Sequence, residues 1–218
     1  MRKRKEIIKT KRGWHGKGTG ECPHKGRPIK VQPIRKRTHI KRIKRLLKDN
    51  PRDYALFVVG INTYLRGSDL LRLKWRDVLD EDYDVRSRLK IKENKTGKFR
   101  TVALSQNSRD ALTLLFSRDS GQPEPDLDDY VFPSRKGGRM SIQRLHQMIN
   151  EWTDAVGLRE ENYGTHTLRK TFAYHVLKRG YDLTTLCDMM GHSSPAVTLR
   201  YAGITQEDRD KIVLSLNL

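Results

Sequence analysis

The chain has 218 residues, of which 35% are hydrophobic, and a formal net charge of +19 at pH 7. The sequence has no apolar run of the roughly 18 residues that a bilayer-spanning helix requires, so we expect no membrane association. Its two cysteines are too few for a disulfide framework, which favours a reducing, cytoplasmic location.

The positive charge is concentrated at the N-terminus. Residues 1–48 contain 19 of the 45 Lys and Arg residues and only two acidic residues, Glu6 and Glu21. This asymmetry is typical of proteins that bind a polyanion, most often DNA or RNA, although a solubilising tail is an alternative. We therefore expect a bacterial-type protein associated with the nucleoid. The predicted DNA contacts are Arg35, Lys36, Arg37, Lys41, Arg42, Lys44 and Arg45.

The first 37 residues are predicted to form a flexible basic arm, because they are rich in Gly, Pro, Lys and Arg and have no sustained hydrophobic period. Residues 38–218 are predicted to form one domain, with a C-terminal tail from about residue 204. A helical period begins at Thr38 and predicts an apolar stripe. The stripe consists of Ile40, Ile43, Leu46 and Leu47.

A second helix is predicted from Pro51. Asn50 is a suitable N-cap, and proline is favoured at the first helical position. The segment PRDYALFVVGINTYL is apolar on nearly every face, so we expect this helix in the core. Ser68 is then predicted to cap a short helix, SDLLRLKW.

A β-hairpin is predicted next. The segments RSRLKIKE and KFRTVALS alternate apolar and polar residues, and NKTG between them is a turn sequence. Residues 121–140 are predicted to be a loop with one short strand at YVF, residues 130–132.

The rest of the chain has helical periods. Helices are predicted over Asn107–Arg118, Ser141–Val156, His166–Arg179 and Asp182–Met190, and another starts at Ser194-Pro195. The predicted fold class is therefore mainly α with a small antiparallel β-sheet.

Several residues of this chain have the side chains that metal-free DNA strand cleavage requires. Cleavage needs guanidiniums to neutralise the phosphate, a nucleophile, a base, and an acid for the departing sugar oxygen. His166 and Arg169 are three residues apart and so share a helical face, while Lys95 lies at the predicted hairpin tip. The candidate catalytic residues are Arg66, Lys95, His166, Arg169, His192 and Tyr201.

In this order, the candidate residues resemble the catalytic domain of the tyrosine recombinases, the group of phage integrases, Xer proteins and Cre. The resemblance extends from about residue 51 to 203. Its most specific parts are LRGSDLLRLKW, THTLRKTFA and MMGHSSPAVTLRYAG.

The resemblance implies site-specific DNA recombination through a 3′-phosphotyrosine, without metal, ATP or another cofactor. It assigns the phosphate clamp to Arg66 and Arg169 and the nucleophile to Tyr201. The resemblance also implies that Lys95 is the general acid, with Lys98 as the alternative. It implies that His166 acts as a base or a hydrogen-bond donor and that His192 contacts the phosphate. Asp69 is implied to orient its neighbours. The implied partners are double-stranded DNA with a specific target site and further copies of the chain, from dimer to tetramer; an accessory protein is left open.

Other interpretations of the sequence are open. A regulatory DNA-binding relative and a type IB topoisomerase would use the same kind of site. The pair His166 and His192 lacks a third ligand at suitable spacing, and His15, Cys22 and His24 match no common zinc finger, so no metal site is predicted.

The sequence departs from the family pattern at the N-terminus and at Gly67. Members generally carry a separate helical core-binding domain, which suggests a short recombinase, a partner that supplies this part, or a fragment boundary at residue 1. Gly67 stands where a branched apolar residue is commoner, and it is expected to loosen the start of the helix.

Overall fold

The computed structural model describes residues 31–95, 97–119, 126–204, 208, 210 and 213–215. This part of the chain is mainly helical and contains one antiparallel pair of strands. The elements are α1 (Arg37–Leu47), α2 (Pro51–Asn62), α3 (Gly67–Leu70), α4 (Trp75–Val78), β1 (Arg88–Lys92), β2 (Phe99–Ala103), α5 (Gln106–Asp119), α6 (Ile142–Ala155), α7 (His166–Lys178), α8 (Leu183–Met190) and α9 (Pro195–Ala202).

Helix α2 lies at the centre of the main hydrophobic core, as its sequence predicts. Its N-terminus is capped by Asn50, whose Oδ1 accepts a hydrogen bond from the Asp53 backbone N–H at 3.2 Å. The helix is buried from Ala55 to Ile61 and packs against α1, α5 and α7. Because α7 carries two candidate catalytic residues, the core directly supports the candidate site.

The hairpin has one buried and one exposed face. Leu89 pairs with Val102 across the strands, and both side chains belong to the main core. On the opposite face, Arg88, Lys90 and Lys92 are exposed along β1. This alternation is the pattern that the sequence predicts for a half-buried strand.

A smaller hydrophobic cluster joins α7, α8 and α9. Its buried members are Ala173, Leu186, Met190 and Ala202. The partly buried ring of Tyr201 packs against this cluster. The cluster therefore holds the C-terminal candidate residues against α7.

Residues 31–36, which belong to the predicted flexible arm, lie against the helical domain. The Gln32 N–H donates to the Asn162 carbonyl oxygen at 2.8 Å, and the Ile34 N–H donates to Thr171 Oγ1 at 2.9 Å. The Ile34 side chain is only 1% exposed. Residues 1–30 of the predicted arm, and most of the predicted tail, lie outside the described residues.

Three local predictions were wrong. Helix α3 starts at Gly67 with Arg66 at the N-cap, so Ser68 lies inside the helix, and α4 forms separately. The segment YVF forms only an isolated bridge between Tyr130 and Lys74. Leu46 is 51% exposed, because α1 directs Ile43 and Leu47 to the core instead.

None of the helices in the described ranges has the length and apolar character that crossing a membrane requires.

Candidate active site

Tyr201 lies in the last turn of α9, and local sequence signals fix this helix. Ser194 Oγ accepts a hydrogen bond from the Val197 N–H at 3.4 Å, and Pro195 occupies the first turn, as predicted. Gly203 ends the helix in the left-handed conformation. The phenol oxygen of Tyr201 is 3.0 Å from Nδ1 of His166, the first residue of α7.

His192 also lies beside the tyrosine. Its ring centroid is 5.0 Å from that of Tyr201, and its Nδ1 is 3.0 Å from Oγ1 of the fully buried Thr198. Thr198 belongs to the same helix as Tyr201, so one helix orients both the nucleophile candidate and the histidine. The spacing of nine residues between His192 and Tyr201 corresponds to one turn followed by this capped helix.

Arg169 is buried beside the tyrosine, with only 3% of its surface exposed. Its Cζ lies 5.9 Å from the centre of the Tyr201 ring, and its Nη2 donates to the Met190 carbonyl oxygen at 2.5 Å. The buried Nε has no hydrogen-bond partner among the described residues. A buried, unsatisfied guanidinium N–H suits an anionic ligand.

Arg66 is held by two carboxylates. Its Nη1 lies 2.9 Å from Glu93 Oε1 and 3.9 Å from Asp69 Oδ2. Asp69 also accepts a hydrogen bond from the Asn94 backbone N–H at 3.0 Å. Asp69 therefore connects Arg66 to the hairpin, and its role in orienting its neighbours stays a prediction.

Gly67, the unusual residue after Arg66, has a packing explanation. A Cβ at this position would lie 3.1 Å from Leu145 Cδ2 of α6. The absent side chain thus allows α3 to approach α6 closely.

The two candidate general acids, Lys95 and Lys98, lie in the hairpin between β1 and β2. Lys95 is exposed and makes no hydrogen bond or ion pair with the described part of the chain. The runner-up Lys98 is also exposed, and its carbonyl oxygen accepts a hydrogen bond from the Glu93 N–H at 2.9 Å. The choice between the two lysines as general acid stays a prediction.

Three charged residues at the site were not predicted from the sequence alone. Lys170 Nζ lies 5.1 Å from the centre of the Tyr201 ring, Glu93 bridges two arginines, and Arg100 is the second of these. Glu93 and Arg100 stand in the alternating hairpin segment, where charged residues are ordinarily solvent-exposed. Of the three, only Lys170 stands in a motif of the family resemblance, directly after Arg169, and this position is the one signal that could have suggested its place in the site.

The charges and the burial of the site shift its pKa values in a consistent way. Burial raises the pKa of Tyr201 to about 12, although Arg169 and Arg66 act in the opposite direction. Burial and the nearby cations Arg169, Lys170 and Arg66 lower the pKa of His166. Burial, followed by Arg169 and Arg66, lowers the pKa of His192 to about 4. At neutral pH the site therefore combines a protonated phenol with uncharged imidazoles.

The predicted DNA contacts lie in the segment before α1 and along that helix. Lys36, Arg37, Lys41, Arg42 and Arg45 are exposed. Lys44 and Arg35 are half-buried. Arg35 is engaged within the domain, because it donates to the Gly203 carbonyl oxygen at 3.1 Å and pairs with Glu161 at 3.4 Å.

No group of three His, Cys, Asp or Glu residues that could bind a metal occurs within the described ranges. The weak candidates His15, Cys22 and His24 lie outside them.

The sequence pattern of the Phage integrase family matches residues 32–208 of this chain. The chain therefore belongs to the phage integrase family, and the tyrosine recombinase class that the sequence predicted is confirmed, together with the mainly helical fold.

Two curated relatives show how much of such proteins the chain covers. It is 38% identical over 180 residues to the "Probable integrase/recombinase YoeC" of Bacillus subtilis, covering 81% of this chain and 92% of the relative. It is 32% identical over 161 residues to "Tyrosine recombinase XerC" of Xanthomonas axonopodis pv. citri, covering 74% of this chain but only 50% of the relative. The chain thus spans nearly all of one relative and half of the other.

A solved structure supports the fold independently. The XerH site-specific recombinase, in a post-cleavage complex with its palindromic difH substrate, superposes with a TM-score of 0.66 at 20% identity. The match covers 85% of this chain and 52% of XerH.

Proposed function

We propose that this chain cleaves and rejoins duplex DNA at specific sites, with Tyr201 as the nucleophile. The observation that carries this proposal is the 3.0 Å contact between the Tyr201 hydroxyl and an uncharged His166, beside the buried guanidinium of Arg169. The names of its relatives, integrase/recombinase and tyrosine recombinase, support the same activity.

In the proposed reaction the Tyr201 oxygen attacks the scissile phosphorus and its proton passes to His166. A phosphorus–tyrosine bond forms while the bond from phosphorus to the 5′ oxygen breaks. The 5′ oxygen takes a proton from the general acid and leaves as a hydroxyl, and the 3′ end stays on the protein. In the second half of the reaction, a 5′ hydroxyl attacks the phosphotyrosine and releases Tyr201. Because each step exchanges one phosphodiester for another, no ATP is needed.

Arg66 and Arg169 are proposed to bind the phosphate oxygens on which negative charge develops. Guanidiniums suit this role because they stay charged at every relevant pH and offer paired donors. The unsatisfied Arg169 Nε is one donor available for such an anion. The Nδ1 of His192 contacts Thr198 Oγ1. The other ring nitrogen, Nε2, is therefore the one proposed to contact a phosphate oxygen.

Lys95 is the proposed general acid. Lys95 directly follows Asn94, whose backbone N–H donates a hydrogen bond to Asp69. Asp69 in turn forms an ion pair with Arg66. The lysine could reach the leaving oxygen once DNA lies across the site.

The proposed substrate is double-stranded DNA with a specific target sequence, bound by a homo-oligomer of two to four copies. The exposed cations of α1 and of β1 supply positive charge for the phosphate backbone. The XerH recombinase, whose fold this chain shares, is in a post-cleavage complex with its difH substrate. The regulatory and topoisomerase interpretations are not favoured, because the named relatives are integrases and recombinases.

Covalent capture tests the proposal. The protein is incubated with a pool of duplexes nicked close to possible cleavage positions, so that the short product diffuses away and the covalent complex accumulates. We expect a complex that resists SDS, and sequencing its DNA would give the target site. Tyr201→Phe should abolish the complex, while the control Tyr181→Phe, at an exposed tyrosine on the turn after α7, should retain it. Tight sequence-specific binding with no adduct would contradict the proposed activity.

A further inference from the structure

A single carboxylate oxygen lies between two arginines next to the candidate site. Glu93 is 5% exposed, and its Oε1 is 2.9 Å from Arg66 Nη1 and 2.7 Å from Arg100 Nε. Arg66 belongs to the phosphate clamp, whereas Arg100 is on β2. Glu93 itself directly follows β1. The shared oxygen thus joins the hairpin to the proposed clamp.

Arg100 extends this connection to the end of α8. Its Nη1 donates to the Met189 carbonyl oxygen at 2.5 Å, next to the Met190 carbonyl that Arg169 binds. The last carbonyls of a helix lack partners within the helix and carry partial negative charge, so guanidiniums are favourable there. The residue that follows, Gly191, has φ +60°, and a Cβ added to it would collide with Arg100 Nη2. Arg100 therefore packs directly against the turn that leads to His192.

The charges of the site explain why a carboxylate is placed here. Burial lowers the pKa of Arg169, and the like charges of Arg66 and Arg100 lower it further because they repel its guanidinium. Glu93 offsets this repulsion. The two ion pairs of Arg66 with Asp69 and Glu93 use Nη1, so its Nε and Nη2 carry donors that these two ion pairs do not use.

We propose that Glu93 and Arg100 are positioning residues, which hold Arg66 and the Gly191–His192 turn in fixed places relative to the hairpin. This inference rests on the proposed function for the roles of Arg66 and His192. In the proposed reaction Glu93 has no direct role toward the phosphate. It acts through the two arginines that it bridges.

Glu93→Gln tests the inference, because it keeps the shape and removes the charge. We expect cleavage at saturating DNA to slow by about 10- to 100-fold, since small displacements of catalytic groups have effects of this size. DNA binding should be unchanged or tighter, because a negative charge has been removed beside the clamp. Glu93→Asp, which restores the charge on a shorter side chain, should recover part of the rate.

Asp53→Asn is the matched control. Asp53 is another buried carboxylate, paired with Arg52 at 2.8 Å, but it lies at the start of α2. This substitution should reduce the free energy of unfolding while leaving the cleavage rate of the folded protein close to that of the wild type.

Amide hydrogen exchange gives a second readout that does not depend on activity. The Gly191 N–H donates to the Asp188 carbonyl oxygen and the His192 N–H to that of Cys187. Glu93→Gln and, separately, Arg100→Gln should accelerate exchange of these two amides, and Asp53→Asn should not. Unchanged exchange in both variants would overturn the inference whatever the activity. An absent wild-type adduct would instead contradict the proposed function alone.

Discussion

The contact between Tyr201 and His166 determines the pH dependence that we expect for cleavage. Burial and three nearby cations lower the pKa of His166, so its imidazole is uncharged at pH 7 and can accept a proton. As the pH falls through this pKa, the His166 imidazole becomes protonated and can no longer accept the proton of Tyr201. The second-order rate of covalent capture, measured at low DNA concentration, should therefore decline only below pH 6.5, the usual value for histidine.

Two histidine variants identify the group responsible for this pH dependence. His166→Gln can hydrogen-bond Tyr201 but cannot take its proton, so the rate at pH 7 should fall on the order of 100-fold and the acid limb should disappear. His192→Gln should keep the acid limb, because its hydrogen bond is with Thr198 rather than with the tyrosine. A decline that begins above pH 6.5, or one that survives in His166→Gln, would contradict the role of His166 as base.

One methyl group added at the end of α8 should lower both the stability and the cleavage rate of the protein. Gly191→Ala places a side chain in the left-handed conformation and against Arg100. We expect a loss of about 1–2 kcal/mol in the free energy of unfolding from the backbone conformation. We also expect slower cleavage by the folded protein, because the turn before His192 must move. Denaturant unfolding and single-turnover capture measure the two effects.

Gly180→Ala separates these effects. Gly180 follows α7 with φ +81°, but nothing lies within 4 Å of an added Cβ. The Gly180→Ala variant should lose a similar free energy of unfolding and keep the cleavage rate of the wild type. Equal cleavage rates for the two variants would show that the collision with Arg100 does not disturb the site.

Elements whose signals are local could be predicted well from the sequence. The caps of α2, α6 and α9 depend on hydrogen bonds within one turn, so Asn50, Ser141 and Ser194 identify their starts. The isolated bridge of YVF depends instead on Lys74 meeting Tyr130, far apart in the sequence. No local pattern contains that information.

The residues of the candidate site also differ in whether local sequence signals predict them. The motifs of the family resemblance pointed to Arg66, His166, Arg169, His192 and Tyr201, which the structure brings into one neighbourhood. Glu93 and Arg100 could not be predicted, because their importance arises from a shared oxygen and from a helix end more than 80 residues away.

At the scale of the whole molecule, the exposed face of the hairpin should contribute to DNA binding. Lys90 and Lys92 are exposed on β1, with no ion pair to an acidic residue of the described part, and lie two residues apart on one face. Each phosphate contact adds about 0.9 to the slope of log K against log salt. The double variant Lys90→Gln/Lys92→Gln should therefore reduce the magnitude of this slope by about 1.8.

Lys178→Gln is the control variant. This exposed cation lies at the C-terminal end of α7, at the opposite end of that helix from His166. The salt slope of this variant should equal that of the wild type. If instead the hairpin variant keeps the wild-type slope, the exposed face of β1 does not contact phosphates.

Identifying which residue and which DNA end are joined tests Tyr201 as the nucleophile most directly. The captured complex is digested with a protease and a nuclease, and the remaining nucleotide-bearing peptide is sequenced by mass spectrometry. We expect a nucleotide attached to Tyr201 through its 3′ phosphate, and a free 5′ hydroxyl on the other DNA fragment. Attachment to a different residue, or through a 5′ phosphate, would contradict the proposed cleavage by Tyr201.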